Sequence, residues 1–185
     1  PEVVEGMPRE SIMGHMRQTY GGEAMVLSAA GLVEHDAVVA LAERLFDGLQ
    51  SESGRETAPG RYTGGDYRED RDLEQVHVVL GFPGLGYHDD AFYATSVLSS
   101  LFGGGMSSRL FQEIRERRGL AYSIYSFSSY YSDCGLFSIY AGTGREETAE
   151  LTTALCDEIR RLAATLEESE VTRARNQLKA ATLMA

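Results

Sequence analysis

The sequence predicts an α+β protein in which helices flank an antiparallel sheet. Residues 76–82 place apolar side chains at every second position, which is typical of a strand with one buried face. Two further strands, at 120–131 and 136–142, are separated by Ser-Asp-Cys-Gly, a sequence that favours a hairpin turn. Because the last two strands are predicted to pair antiparallel through this turn, and long helices separate the strand runs, an α+β layer is favoured over a parallel sheet with regular strand-helix alternation.

The first part of the chain is predicted to hold two helices with a strand between them. Residues 8–20 form a helix that tolerates Pro8 in its first turn. Residues 24–30 are a short apolar run, which we interpret as a buried strand. Residues 35–49 repeat apolar side chains at helical spacing and predict a helix with a broad apolar face.

The periodic pattern stops over residues 50–66, where glycine, proline, serine, threonine and glutamate dominate. We therefore divide the chain into a first part at 1–50, a linker at 51–66 and a second part at 67–185.

After the first strand of the second part, Pro83 and Gly84 are predicted to turn the chain, and Asp89 or Asp90 to cap a helix that extends through Leu101. Residues 146–166 predict a long amphipathic helix, and residues 170–185 predict a last one. The absence of a Gly or Pro stop signal in this last helix, and the start at Pro1, lead us to expect a piece of a longer protein.

The most informative stretch is 103–122, Gly-Gly-Gly-Met-Ser-Ser-Arg-Leu-Phe-Gln-Glu-Ile-Arg-Glu-Arg-Arg-Gly-Leu-Ala-Tyr. The glycines allow another backbone to approach closely, and Ser107 or Ser108 can cap the helix that follows. Gly119 lies where a left-handed residue ends a helix. The following period of two puts Tyr122 on one strand face with Ile124, one short turn after the helix that carries Arg115.

This stretch resembles the pitrilysin and mitochondrial processing peptidase family of zinc metallopeptidases, in its second, zinc-free repeat. Arg115 and Tyr122 keep the seven-residue spacing of an Arg and a Tyr in that family. The resemblance implies a processing-peptidase-like repeat, truncated at its end, over 67–185, and the C-terminal part of the first, zinc-bearing repeat over 1–50.

The resemblance also implies a role for Arg115 and Tyr122, which in the family bind the peptide substrate near the scissile carbonyl. Guanidinium and phenol donors can stabilise negative charge on that oxygen. From the residues alone a structural alternative stays open, with Arg115 in an ion pair near Glu116 or with Asp133, and with Tyr122 packed in its strand.

The sequence offers weak support for other sites. The family's H-x-x-E-H zinc motif is missing. Its nearest counterpart is residues 31–35, where Gly31 occupies the position of the first ligand. Glu34 and His35 are therefore predicted to cap a helix rather than to bind metal. The glycine run lacks the lysine of a phosphate-binding loop, and no serine lies in G-x-S-x-G. We therefore predict no metal ligand and no catalytic residue, and zinc only in the parent protein.

Composition excludes other classes of function. The net charge of −11 argues against a nucleic-acid partner, and two cysteines are too few for a disulfide framework. No apolar run is long enough for a membrane helix. We expect a soluble protein and leave the cytoplasm and the periplasm open.

The sequence thus predicts part of a zinc-dependent metalloendopeptidase, inactive alone, whose partners are a peptide or protein substrate and the missing zinc-bearing half. The alternative is a non-catalytic, substrate-binding subunit that pairs with a separate zinc-bearing chain. A homodimer or heterodimer is compatible with both, and a purely structural module is a third possibility.

Overall fold

The computed structural model describes residues 2–49 and 58–184. The chain divides into two units, Pro1–Ala58 and Pro59–Ala185, and each is described by itself. The predicted linker at 51–66 falls partly on residues 51–57, which lie outside the described residues, and residues 58–66 have no regular secondary structure.

Helices dominate the first unit. They are α1 (Glu2–Glu5), α2 (Arg9–Thr19), a 3-10 turn (Gly22–Ala24) and α3 (His35–Leu45). The predicted helix at 8–20 is confirmed, with Pro8 at its N-cap in an extended conformation. The helix predicted at 35–49 is confirmed as far as Leu45. It ends there because the Phe46 carbonyl accepts hydrogen bonds from the amides of Gly48 and Leu49, both at 3.0 Å, in a tight turn.

The strand predicted at 24–30 is wrong. The 3-10 turn takes its first residue, and residues 25–30 have no regular secondary structure. Val26 is 93% exposed and Leu27 61% exposed, so the apolar run is not buried. A strand needs a neighbour for its backbone hydrogen bonds, and the described part of this unit contains no other strand.

The second unit confirms the α+β class. Its elements are β1 (Val76–Gly84), α4 (Phe92–Gly103), a π-helical segment (Phe111–Arg117), β2 (Ser123–Tyr130), β3 (Gly135–Thr143), α5 (Thr148–Thr165) and α6 (Glu168–Met184). The three strands form an antiparallel sheet in the order β1-β3-β2. The two helices predicted near the end are confirmed as α5 and α6, although Ala185 lies outside the described residues.

The alternation along each strand separates a core face of the sheet from an exposed face. Within the core face, Ala141 of β3 pairs with Val78 on one side and Ile124 on the other. The helices cover this face and complete a core of Phe102, Leu110, Ile114, Leu120, Ala121, Ile124, Ile139, Ala141, Leu151, Ala154 and Leu155. Burial of this apolar surface is the main stabilising contribution to the unit.

Two predicted details around β1 are wrong. Pro83 and Gly84 continue the strand rather than turning the chain, with Pro83 opposite Leu136. This is tolerated because β1 is an edge of the three-stranded sheet, and proline is accepted in edge strands, which have a neighbouring strand on one side only. Helix α4 begins at Phe92 after Ala91, and Asp89 accepts a hydrogen bond from the Ala91 amide at 2.8 Å instead of capping a helix end.

The predicted hairpin is confirmed by the antiparallel pairing of β2 with β3 and by the hydrogen bond from the Tyr131 amide to the Cys134 carbonyl at 2.9 Å. Cys134 and Cys156 are free thiols. Among the described residues, no helix combines the length and the apolar character that a bilayer crossing requires.

Candidate functional site

The glycine run brings α4 into direct contact with β2. A Cβ at Gly103 would lie 2.2 Å from the Ser126 amide nitrogen, and a Cβ at Gly104 would lie 2.6 Å from the Cα of Ser100. The Ser126 hydroxyl donates to the Ser99 carbonyl at 2.8 Å, which ties the two elements together. The predicted close approach of another backbone is therefore confirmed for Gly103, whereas the atoms nearest to Gly104 belong to Ser100, one turn earlier in α4 itself. Gly105 has more room, since its Cβ would come no closer than 3.5 Å to the Gln177 amide nitrogen.

The loop after the glycines is closed by side chains of the helix that follows it. This corner helix covers residues 109–117 and is π-helical over Phe111–Arg117. The Ser108 hydroxyl donates to the Gly105 carbonyl at 2.6 Å, and the Gln112 side chain donates to the Met106 carbonyl at 2.7 Å. Ser108 thus has the position that the sequence predicts for a cap, but its hydroxyl organises the loop.

Arg109 anchors the start of the corner helix, and sequence reasoning missed it. Its guanidinium donates to both carboxylate oxygens of Glu170, at 2.7 and 2.5 Å. It also donates to the Thr165 hydroxyl at 2.7 Å and to the Thr165 carbonyl at 2.5 Å. The two charged side chains are only 13% and 15% exposed. The hydrogen bond from Arg109 is the main reason that the pKa of Glu170 is lowered from its ordinary value.

The corner itself is formed by Gly119. This residue has φ +66°, as the sequence predicts for a left-handed position after a helix. Its amide donates to the Arg115 carbonyl at 3.1 Å, and the Leu120 amide donates to the Ile114 carbonyl at 3.0 Å. The chain then joins the sheet, where the Thr143 hydroxyl donates to the Leu120 carbonyl at 2.6 Å. Both sides of the corner are therefore fixed by hydrogen bonds to the backbone.

Arg115 projects from the corner helix as an exposed side chain. Its guanidinium carbon lies 4.6 Å from the centre of the Phe111 ring, at cation-π distance. Asp133, one of the ion-pair partners considered from the sequence, instead accepts a hydrogen bond from the Gly60 amide at 2.7 Å. In the described part of the chain no carboxylate pairs with Arg115.

Tyr122 lies immediately before β2, with its amide bonded to the Gly142 carbonyl at 2.9 Å. Its side chain is 65% exposed, whereas Ile124 and Ser126, which share its predicted strand face, are buried. The structural alternative, in which Tyr122 packs in the strand, is therefore not what the structure shows. The phenol is presented to solvent from a rigid backbone.

An aromatic surface lies on the exposed face of the sheet. Tyr125 of β2 stacks on Tyr140 of β3 with ring centres 4.9 Å apart. The Tyr140 hydroxyl forms a hydrogen bond with His77 Nδ1 at 2.8 Å. Sequence reasoning did not single out this surface, although its signal was the alternation of Tyr125 and Phe127 with buried positions.

The residues that resemble a zinc motif do not form a metal site. His35 is the first residue of α3, and Glu34 precedes it without a side-chain hydrogen bond to the helix. The predicted side-chain capping is therefore wrong for Glu34. Over residues 2–49 and 58–184, no group of three or more His, Cys, Asp or Glu side chains could hold a metal ion. This described part of the chain therefore offers no set of side chains that fits a zinc ion.

A comparison with protein families decides the classification of the chain. The family described as the peptidase M16 inactive domain matches residues 6–178. The chain belongs to the peptidase M16 inactive-domain family. A protein of Rickettsia bellii named uncharacterized zinc protease is 40% identical over 185 residues, which are 100% of this chain and 45% of that protein. The M16 chain therefore spans less than half the length of this relative.

Solved structures share the fold of this M16 chain. A peptidase M16 inactive domain from Pseudomonas fluorescens superposes with a TM-score of 0.80 at 19% identity, over 96% of this chain and 44% of that one. A chain of complex III from Candida albicans superposes with a TM-score of 0.86 at 22% identity, over 99% of this chain and 46% of that one. Both similarities confirm the architecture of an M16 domain.

Proposed function

We propose that this chain is the substrate-binding, non-catalytic part of a zinc-dependent metalloendopeptidase, in which Arg115 and Tyr122 bind the peptide near the bond that is hydrolysed. The observation that carries the proposal is the exposure of both side chains at a corner whose backbone is fixed on each side of Gly119. Membership of the M16 inactive-domain family and the name of the Rickettsia relative support the reaction class.

The chemistry of the two side chains suits a peptide carbonyl. The guanidinium is always charged and offers several N–H donors in one plane, and the phenol offers one O–H donor. Donors held in place before the reaction stabilise charge that develops on the carbonyl oxygen, because they need no reorganisation. The stacking of Arg115 on Phe111 restricts the guanidinium without using its donors.

The aromatic sheet surface extends this proposed site. Tyr125, Phe127 and Val79 are 45%, 39% and 59% exposed, so apolar side chains of a bound peptide have a surface to contact. Its member Tyr125 follows Tyr122 by three residues in the sequence. The surface supports binding of an extended polypeptide rather than of a small polar molecule.

The zinc ion belongs, in this proposal, to a part of the protein outside the sequence described here. We propose that residues 1–50 belong to the end of a first, zinc-bearing repeat and residues 67–185 to the second repeat. This chain alone is expected to hydrolyse no peptide. Peptide cleavage by the purified chain that a chelator abolishes would contradict the proposal.

The test uses the complete protein and a fluorogenic peptide. Arg115→Ala and Tyr122→Phe should each lower kcat/KM, by about 100-fold if the lost donor contacts the developing oxyanion. Matched controls are Arg118→Ala, an exposed arginine just beyond the same helix, and Tyr131→Phe, an exposed tyrosine at the other end of β2. Unchanged turnover in both site variants would leave these residues a structural role.

The alternative is a non-catalytic subunit that binds substrate for a separate zinc-bearing chain. Both proposals give Arg115 and Tyr122 the same substrate-binding role. Neither requires a zinc site among the described residues, where no such cluster is found. The complete reading frame separates the two. An H-x-x-E-H motif in the same polypeptide supports a one-chain peptidase, and its absence supports the helper subunit.

A further inference from the structure

We infer that Arg109 is a positioning residue, which holds the corner helix so that Arg115 and Tyr122 keep their places. The inference rests on the proposed function, because the consequence of the positioning is measured through peptide turnover. It assigns to Arg109 a part in that function without any contact to the substrate.

The contacts of Arg109 join the first turn of the corner helix to the junction between α5 and α6. The guanidinium forms a bidentate pair with Glu170, in the first turn of α6, and two bonds to Thr165, the last residue of α5. Bidentate pairs of this kind fix orientation as well as distance. The amide of Glu167 donates to the same carboxylate at 3.0 Å, so the junction is organised around it.

Helix α6 also contacts the loop that precedes the corner helix. The Gln177 side chain donates to the Gly104 carbonyl at 3.3 Å, and Arg173 donates to the Ser107 carbonyl at 3.4 Å. Both bonds are exposed and long, whereas the bonds of Arg109 are 2.5 to 2.7 Å long and the two to Glu170 are partly buried. Among the hydrogen bonds described between α6 and the approach to the corner, those of Arg109 are therefore the strongest.

Arg109 is close in sequence to the proposed binding pair, so the helix that it holds also carries Arg115 and leads directly to Tyr122. Arg115 follows six residues later in the same helix, and Tyr122 follows after the Gly119 corner. Leu110 and Ile114 bury the inner face of this helix completely. Apolar contacts are not directional, so they bury the helix without fixing its shift along its axis. The directional bonds of Arg109 supply that restraint.

The test compares Arg109→Met and Glu170→Gln with the matched control Arg160→Met in the complete protein. Arg160 lies on α5, pairs with Asp157 and is 75% exposed. We expect Arg109→Met and Glu170→Gln to lower kcat by about tenfold, with KM nearly unchanged, at a temperature where circular dichroism shows them folded. The Arg160 control should match the unchanged protein. Unchanged kcat in Arg109→Met would overturn the inference.

A triple variant separates positioning from a general loss of structure. If Arg109 acts through Arg115 and Tyr122, then Arg109→Met should reduce kcat no further in a protein that already carries Arg115→Ala and Tyr122→Phe. An independent tenfold loss on top of these two substitutions would overturn the inference and leave Arg109 a structural role. Arg109→Lys should recover part of the activity, since it restores the charge but not the bidentate geometry.

Amide hydrogen exchange measures the same restraint without any substrate. Exchange over residues 110–119 should accelerate in Arg109→Met and in Glu170→Gln, but not in Arg160→Met. Equal protection in all variants would overturn the inference. If exchange is faster in these variants but Arg115→Ala turns over peptide normally, the restraint by Arg109 is supported and the proposed function is contradicted. A failure of the inference can thus be distinguished from a failure of the proposed function.

Discussion

The backbones of Gly103 and Ser126 lie so close together that a Cβ on the glycine would stand 2.2 Å from the serine nitrogen. The contact joins the end of α4 to the middle of β2. It sets where the loop to the corner helix begins, and thus where Arg115 lies relative to the sheet. The atoms that a side chain would meet are mostly backbone, which cannot move aside as a flexible side chain can.

Gly103→Ala should therefore lower the free energy of unfolding by about 2–3 kcal/mol, because α4 must shift away from β2. The control is Gly105→Ala, where the added methyl group has room. Its effect should stay within about 0.5 kcal/mol. Chemical denaturation of both variants measures the difference, and equal midpoints would contradict the packing described here.

Gly119→Ala tests the corner through backbone conformation alone. The residue has φ +66°, and no atom lies within 4 Å of the position of a Cβ. The expected loss of about 1 kcal/mol is therefore the conformational cost of an alanine in the left-handed region. Gly119→Asn should lose less, because asparagine tolerates this region better. Thermal unfolding measures both variants, and an alanine variant as stable as the asparagine variant would refute this explanation.

Local sequence patterns predicted most of the second unit because its elements are specified by their own residues. The period of two marks β1 and β2, the helical period marks α5 and α6, and Gly119 marks the end of the corner helix. These signals depend on side chains a few positions apart. They predict the structure correctly in the second unit because both the sheet and the helices that cover it are present there.

The wrong predictions concern features that depend on distant residues. Residues 24–30 have the composition of a strand but no strand partner in their described unit. Pro83 signals a turn unless its position at a sheet edge is known. The pair of Arg109 and Glu170 is separated by 61 residues, so no local pattern could reveal it.

The resemblance to the peptidase family implied the pair of Arg115 and Tyr122, but it did not predict the exposure of Tyr122. Alternation places Tyr122 on the same face as Ile124, which is buried. Strand β2 begins at Ser123, so Tyr122 lies just before the strand, and its side chain is exposed rather than packed in the core. Strand ends are set by where pairing stops, which a single sequence does not specify.

The pair of Glu170 and Arg109 makes stability depend on pH. The folded protein lowers the pKa of Glu170 from its ordinary value of 4.5, chiefly through the hydrogen bond from Arg109. A lowered pKa contributes stability that is present above the ordinary value and is lost as the pH falls through the folded value. Glu170→Gln should thus lose about 1–3 kcal/mol at pH 7, and the loss should shrink in acid.

Urea denaturation between pH 3 and 7 would measure this dependence. Glu168→Gln is the matched control, since Glu168 is an exposed neighbour on the same helix. Its difference from the unchanged protein should be small at every pH. A loss in Glu170→Gln that stayed constant from pH 7 into acid would show that the charge of Glu170 does not stabilise the fold.

The contact of Gly60 with the tip of the β2–β3 hairpin predicts a coupling between two positions far apart in sequence. A Cβ at Gly60 would lie 2.3 Å from the Cys134 sulfur, while the Gly60 amide is held by Asp133. Gly60→Ala should therefore destabilise the unit by about 1–2 kcal/mol.

In a protein that carries Cys134→Ala the same substitution should cost less, because the sulfur is gone although the Cβ remains. Cys156→Ala, on α5, is the control and should leave the effect of Gly60→Ala unchanged. Strict additivity of Gly60→Ala with Cys134→Ala, measured by chemical denaturation, would mean that residues around Gly60 do not pack on the hairpin as described.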